Sequence, residues 1–450
     1  MGFAARLGVR NPTWIGLLAI LAAGLGITSG IQPKLGLEAT LALVFVAAVL
    51  GNVTVGLALF TVLSFLVVIN VGGGALSVMK VAGLLLFMSW LAAVATRRER
   101  EVRSLVKSEP VLVVAAVAWV SWAAISAVWA ESSGAALSSS YRLLLDVLLL
   151  PIVFGAIRSR EHFLWIVGAF VFGATVSAAF GLVQSGGARV TGSIGDADGE
   201  AALLVAALML TAGLTAAFPR GSRRRLLSMI AGLIAVVGIL GTGSRGGVVA
   251  LGCVLVAAVV FGGRWRAQAF ALLVAATAAA AVYLIVLAPS SASQHLVTSS
   301  STGRTDLWKV GVRMWTAHPL VGVGLANFPI SSVHYVQQPG ALTRADLIVD
   351  VPKVTHNMYL EILDELGPLG LIAFLTLAGA SIVAALRAAR RFESAGDVSF
   401  ELLSMSLALA IVGLLCADFF ISGQYERLLW LLLALPPPLL ALAPSRPDVR

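Results

Sequence analysis

The sequence predicts an all-α protein that crosses a membrane many times, on two observations. Of its 450 residues, 59% are hydrophobic and only 12% charged, about half the charged share of a soluble domain, and the mean hydropathy is +0.96. Lys and Arg gather in short clusters, Arg97 to Lys107, Arg158 to Arg160, Arg220 to Arg225, Arg264 to Arg266 and Arg387 to Arg391, with long apolar runs between them. These runs hold about 16 to 22 residues, enough for a helix to cross a hydrocarbon core of roughly 30 Å.

Spans are expected near 12 to 31, 35 to 50, 53 to 70, 75 to 95, 110 to 130, 140 to 157, 162 to 184, 200 to 218, 226 to 241, 246 to 262, 268 to 288, 366 to 387, 400 to 422 and 427 to 443. With Arg6, Arg10 and the N-terminus in the cytoplasm, about 14 crossings put every basic cluster on the cytoplasmic side. The short pair at 35 to 70 and the glycine-rich turn from Gly241 to Gly247 make the range 12 to 14. The apolar stretch after Arg10 reads as the first helix rather than a signal peptide, because it is long, lacks a small-residue cleavage site and precedes many further spans. The chain thus divides into N-terminal helices (1–184), central helices with external arginine loops (185–288), a large external loop (289–365) and C-terminal helices (366–450).

A net charge of +9 raises nucleic acid as a partner for a soluble chain, but here the cations sit at helix ends facing anionic lipid, so membrane lipids are the expected partner and nucleic acid is not. Cys253 and Cys416 fall inside spans, where a small apolar role is expected rather than a disulfide or a metal site. No repeat is visible.

Two polar segments face outward, 185 to 199 and 289 to 365. The larger opens with a Ser-rich stretch (Pro289 to Thr302) and continues with GRTDLWKVGVRMWTAHPLVGVGLANF. There Leu307, Trp308, Gly311, Met314 and Trp315 share one helical face, as expected of a helix lying at the interface with its indoles at headgroup depth. It ends in THNMYLEILDELGPLG, a short helix leading into the next span.

Ionisable residues inside spans are costly and usually face a polar cavity. Lys80, Arg142, Asp146, Asp418, Glu426 and Arg427 all fall in the outer part of their helices and predict a polar chamber at the outer leaflet; for Arg142 or Glu426 alone, snorkelling to the headgroups is the competing reading. Arg245 stands in GTGSRGG at the external start of a helix, where Ser244 can cap and free N–H groups point outward, a place suited to phosphate. Its guanidinium adds a permanent charge and a bidentate fork; the plainer alternative is an anchor pairing with a carboxylate such as Asp418. Arg189 in GGARVTGS and Arg304 in TGRTDLW also lie outside against the rule. Together the three could hold a pyrophosphate, whereas a simple pair with Asp196 or Asp306 would explain either of the last two.

His356 stands at the first turn before a span and shares its loop with His295, His318 and His334. Imidazole titrates near pH ~6.5, which suits a general base for an attacking hydroxyl; a histidine that merely caps or packs is the competing reading.

The order of GTGSRGG after an apolar helix, GRTDLWKVGVRMWTAHPLVGVGLANF in a long external loop, and HNMYLEILDELGPLGLIAF returning to the membrane resembles the O-antigen ligase family of bacterial membrane proteins, over about residues 185 to 385. The first 180 residues agree only in hydropathy. The resemblance implies a glycosyltransferase-C-like enzyme of the bacterial cytoplasmic membrane, active on the extracytoplasmic side, with a polyprenyl-diphosphate-linked glycan as donor, a glycan or lipid as acceptor, and no cofactor or metal. It further implies that Arg189 and Arg245 bind the leaving diphosphate with help from Arg304, and that His356 deprotonates the acceptor in one inverting displacement. Where many relatives carry an Asn-Pro-Asn-like turn, this chain has Asp196, Ala197 and Asp198. The two carboxylates could hold Mg²⁺ or Mn²⁺, or cap and solvate a helix start, a role Glu200 would serve equally.

A ligase and a polymerase of the same family differ only in the acceptor, which no motif reads. A secondary transporter is the third reading; the lack of internal duplication and the placing of charge in external loops weigh against it.

Overall fold

The computed structural model describes residues 45–66, 78–96, 105–186, 188–282, 303–337, 345–350 and 353–444, with isolated residues 24, 26, 30, 32 and 342. The expected span at 12 to 31, the Ser-rich stretch and His295 lie outside the described residues or touch them only at isolated positions. Every described regular element is helical. In chain order the longer ones are α1 (Val53–Phe65), α2 (Val78–Thr96), α3 (Pro110–Ile125), α4 (Ser133–Val147), α5 (Leu149–Ala156), α6 (Arg160–Gln184), α7 (Ala197–Ala217), α8 (Arg223–Thr242), α9 (Arg245–Phe261), α10 (Arg266–Val282), α11 (Arg304–Ala317), α12 (Met358–Ser394), α13 (Val398–Ala417), α14 (Arg427–Ala434) and α15 (Pro436–Leu442).

Short polar residues start most of these helices. Asn52, Ser132, Ser159, Asp196, Ser222, Ser244, Asn357 and Asp397 each accept a hydrogen bond from a backbone N–H in the first turn. Such caps answer donors that no intrahelical carbonyl can reach. Among the described residues, seven helices are long and apolar enough to cross a membrane, with α4 and α5 together forming one of them. An eighth follows if the bent pair at α9 and α10 is one span. The protein is therefore multi-pass.

The central layer is α7 against α13. In each, 67% of the most apolar stretch is buried, against 33% to 50% in the other long helices. Small residues allow this approach. A Cβ at Gly213 of α7 would lie 2.8 Å from Leu403, and one at Gly413 of α13 would lie 2.7 Å from Val254 of α9. Packing without a solvent-driven term relies on such close contact.

The basic clusters meet at one end of the bundle. Arg160 pairs with Asp397 at 2.6 Å, Arg387 with Glu109 at 3.6 Å, and Arg264 with Glu401. The loops predicted to be external meet at the other: the Met358 N–H bonds the carbonyls of Asp418 (3.0 Å) and Ile421 (2.9 Å), and the Val190 N–H that of Gly241 (3.0 Å).

Several spans differ from the expectation in direction rather than in place. The runs at 246 to 262 and 268 to 288 form two helices bent by 115°. Gly263 takes φ +52 at the break, and the turn is tied to Glu401 by Arg264 and by Trp265 Nε1 at 3.0 Å. The run at 427 to 443 is interrupted before Pro436 to Pro438, whose rings cannot donate a helical hydrogen bond. The run at 366 to 387 belongs to a longer helix, α12, broken at Gly367.

The apolar face predicted to lie on the membrane interface packs instead on protein. Leu307, Val310 and Met314 of α11 form a small core with Val323, Phe328 and Ile348, and Trp308 Nε1 donates to the Thr355 carbonyl at 3.1 Å.

Candidate active site

Three of the residues singled out in the sequence meet around one carboxylate. Asp198 lies in the first turn of α7, which Asp196 caps by accepting from the N–H groups of Asp198 (3.4 Å) and Gly199 (2.8 Å). One Asp198 oxygen takes Arg189 Nη2 at 3.0 Å and the other takes Arg304 Nη2 at 2.5 Å. The Ser244 hydroxyl also bonds Asp198. Ser244 caps α9 by accepting from Gly247 N–H at 3.2 Å, as its place before Arg245 predicts. Arg189 is fixed a second time, through Nε to the Thr242 carbonyl at 2.7 Å.

Neither arginine takes the partner weighed from sequence: Asp196 is a cap, Lys309 pairs with Asp306 at 3.0 Å, and Asp198 serves both guanidinium groups. Glu200 is not a cap either, but is buried and accepts from the Ser177 hydroxyl at 2.7 Å.

His356 faces the same place, with Arg304, Asp196 and Asp198 among the charges that act on its ring. It sits two residues before the first residue of α12, at φ +51, a conformation rare outside glycine. Its neighbours are pinned. Asn357 caps α12 through Tyr359 N–H and Leu360 N–H, both at 3.1 Å, and Thr355 Oγ1 lies 2.9 Å from Glu361 Oε2. Burial and then the Arg304 charge push the imidazole below its ordinary value. It is therefore neutral at neutral pH and able to accept a proton. The other described loop histidines have separate partners: His318 meets the Tyr335 hydroxyl at 3.0 Å, and His334 meets Glu131 at 3.1 Å.

Four helix N-termini, those of α7, α9, α11 and α12, thus carry Asp198, Arg245, Arg304 and His356 into one neighbourhood. The positive ends of the helix dipoles add to the guanidinium charge there. The arrangement suits a doubly charged anion beside a hydroxyl that must lose a proton.

The predicted chamber residues occupy the same end. Arg142 donates to the Tyr425 carbonyl at 3.0 Å and lies over the Tyr425 ring at 5.0 Å. Asp146 is buried with Arg142, Arg427 and Glu426 as its charged neighbours. Asp418 is buried with Glu426 beside it, and Glu426 is close enough to Asp196 to feel its charge. The Lys80 side chain lies outside the described residues.

The His-Pro-Leu-x-Gly-x-Gly and Glu-x-Gly patterns form a clasp that holds this geometry. At Pro368 and Gly367 the helix loses its own hydrogen bonds, and outside donors replace them. The Asp364 carbonyl takes Val323 N–H (2.9 Å), that of Glu365 takes Gly324 N–H (2.8 Å), and that of Leu366 takes Trp122 Nε1 (2.8 Å). The Glu365 carboxylate receives Ala326 N–H at 2.8 Å and Phe328 N–H at 3.0 Å. Neither motif announces in the sequence that it grips the other.

The family model described as O-Antigen ligase matches residues 230–375. This segment is similar to the O-antigen ligase family. It holds Arg245, Arg304, His356 and both motifs of the clasp, whereas Trp122, Arg189 and Asp198 precede it. None of the curated proteins compared with the chain matches it.

Proposed function

We propose that the protein transfers a glycan from a polyprenyl-diphosphate carrier to a hydroxyl acceptor on the outer face of the bacterial cytoplasmic membrane. The observation that carries this reading is the meeting of Arg189, Arg304 and the Ser244-Arg245 helix start with a neutral His356. The acceptor oxygen gives its proton to the His356 imidazole and bonds the anomeric carbon from the face opposite the leaving group. The carbon–oxygen bond to the diphosphate breaks, and its electron pair stays on the phosphate. Donors fixed where charge develops supply the largest share of such catalysis, and here guanidinium groups and helix N-termini take that part without a cofactor. A polymerase would use the same donor site with a lipid-linked glycan as acceptor.

The test is transfer by the purified chain in nanodiscs, with a polyprenyl-diphosphate oligosaccharide, several acceptor classes, and EDTA in a parallel arm. Arg245→Ala should lower the rate by about 10²-fold or more, the cost of removing one preorganised donor. Undiminished transfer by that variant would dismiss the assignment, and saturable uptake without any donor would revive a transporter. The accepted partner distinguishes ligase from polymerase.

An apolar groove of about 540 Å³ supports a lipid donor. Val249, Cys253, Val256 and Val260 of α9 line it with Val412 and Cys416 of α13. It begins one helical turn from Arg245, so the polyprenyl tail of a diphosphate held there would enter it. Cys253 and Cys416 are the only cysteines in the chain, so a membrane-permeant maleimide should label them more slowly once polyprenyl diphosphate is added. Labelling indifferent to that lipid would place the tail elsewhere.

A further inference from the structure

We propose that Asp198 is the positioning residue that assembles the diphosphate site, an inference that rests on the donor reading above. Its carboxylate touches two of the three arginine-bearing segments directly and the third through Ser244, the residue before Arg245. No other described residue bonds all three. The segments come from positions 189, 244 and 304, far apart in sequence, and the guanidinium groups of Arg189 and Arg304 repel one another where they converge. One anion at the centre offsets that repulsion.

The geometry assigns positioning rather than competition with the ligand. Arg189 uses Nε for the Thr242 carbonyl and Nη2 for Asp198, which are the two donors on a single edge of the guanidinium. Nη1 and the opposite edge are left directed away from the anchor, and a guanidinium offers five N–H donors in a fixed fork. Arg304 likewise meets Asp198 through Nη2. Each arginine is thus held by one part and can present another to phosphate oxygens. Asp198 is mostly covered, its side chain 17% exposed against 54% for Arg189, so the anchor lies beneath the group it orients. Asp196 carries the cap of α7, which leaves Asp198 free for this role.

The test is a set of full-length variants in nanodiscs, read by donor KM, kcat and protection by inorganic diphosphate. Asp198→Ala should raise donor KM tenfold or more and weaken diphosphate protection, with thermal stability near that of wild type. Asp198→Asn, which keeps the shape but bonds only one guanidinium well, should fall between. The decisive arm is the combination with Arg189→Ala and Arg304→Ala. If Asp198 acts through these arginines, adding Asp198→Ala to the double variant changes donor KM no further. Additive losses would overturn the proposal, and so would tighter diphosphate binding by Asp198→Asn, the mark of a carboxylate competing with phosphate. Arginine variants with wild-type transfer would defeat the donor reading itself; wild-type behaviour of the Asp198 variants beside inactive arginine variants would defeat the positioning role alone.

Discussion

Replacing His356 by alanine is expected to lower kcat for glycan transfer by about 10²- to 10⁴-fold, the usual contribution of a placed general base, with donor KM little changed. The split follows from geometry. The guanidinium groups that would hold the diphosphate are anchored by Asp198 and the Thr242 carbonyl, not by the imidazole, so removing the ring leaves the donor's partners in place. The imidazole acts only when the acceptor oxygen begins to bond the sugar, a contribution that belongs to the transition state and therefore to kcat. A variant that loses donor affinity and keeps kcat would refute the base and leave His356 a binding residue.

The same residue fixes a pH dependence. A base must be unprotonated, and His356 is pushed below the ordinary 6.5 by burial and by the Arg304 charge. Activity should therefore hold as pH falls through the usual histidine range and drop only below it. Arg304→Ala removes the larger of the two cationic causes, leaving burial and the Lys353 charge, and should move the acid limb up toward pH ~6.5 even as it lowers the plateau. The profile of kcat/KM against pH reads this directly. An acid limb above the ordinary value in the wild type would mean that another group titrates.

Much of this site was legible because its residues break rules that the rest of the chain obeys. Arg189, Arg245 and Arg304 stand out in the sequence as cations away from the basic clusters, and Ser244 before Arg245 announces a capped helix start that the structure has. The centre of the site was not legible. Asp198 lies 106 residues from Arg304, and no local pattern distinguishes a carboxylate awaiting two distant guanidinium groups from one that caps a helix or binds a cation. Helix directions were hidden for a different reason. Hydropathy counts the residues available to cross lipid and says nothing of where the axis turns: it places a break after Gly262 without the 115° angle found there, and it reads 427 to 443 as one span across Pro436 to Pro438. The face of α11 was correctly periodic and wrongly assigned, since the same spacing serves a membrane interface or a protein partner. What decides between them is Gly311, whose missing side chain admits Leu360 and Asp364 of α12, 3.1 Å and 2.8 Å from where a Cβ would stand.

Gly367→Ala should remove most of the folded protein, although the change adds one methyl group far from any reacting atom. Gly367 adopts φ 68, ψ −174, a region essentially confined to glycine, and an alanine there costs about 1 to 3 kcal/mol in backbone strain. The added Cβ would also sit on the Leu320 carbonyl, well inside contact distance, so the loop carrying Gly322 and Gly324 must withdraw. That loop holds the Glu365 carboxylate by two N–H groups and satisfies the Asp364 and Glu365 carbonyls. Each buried group left without its partner adds roughly 1 to 3 kcal/mol, and the sum approaches the whole stability of an ordinary domain. Gly379→Ala is the control. It lies in the same helix with open space around its Cβ position, and should be neutral or stabilising by up to about 1 kcal/mol. Thermal unfolding followed by tryptophan fluorescence in detergent compares the two, and equal melting temperatures would refute the clasp. Where Gly367→Ala protein survives, it should transfer glycan poorly in proportion to its loosened loop, because the clasp sets α11 on α12 and hence Arg304 beside His356.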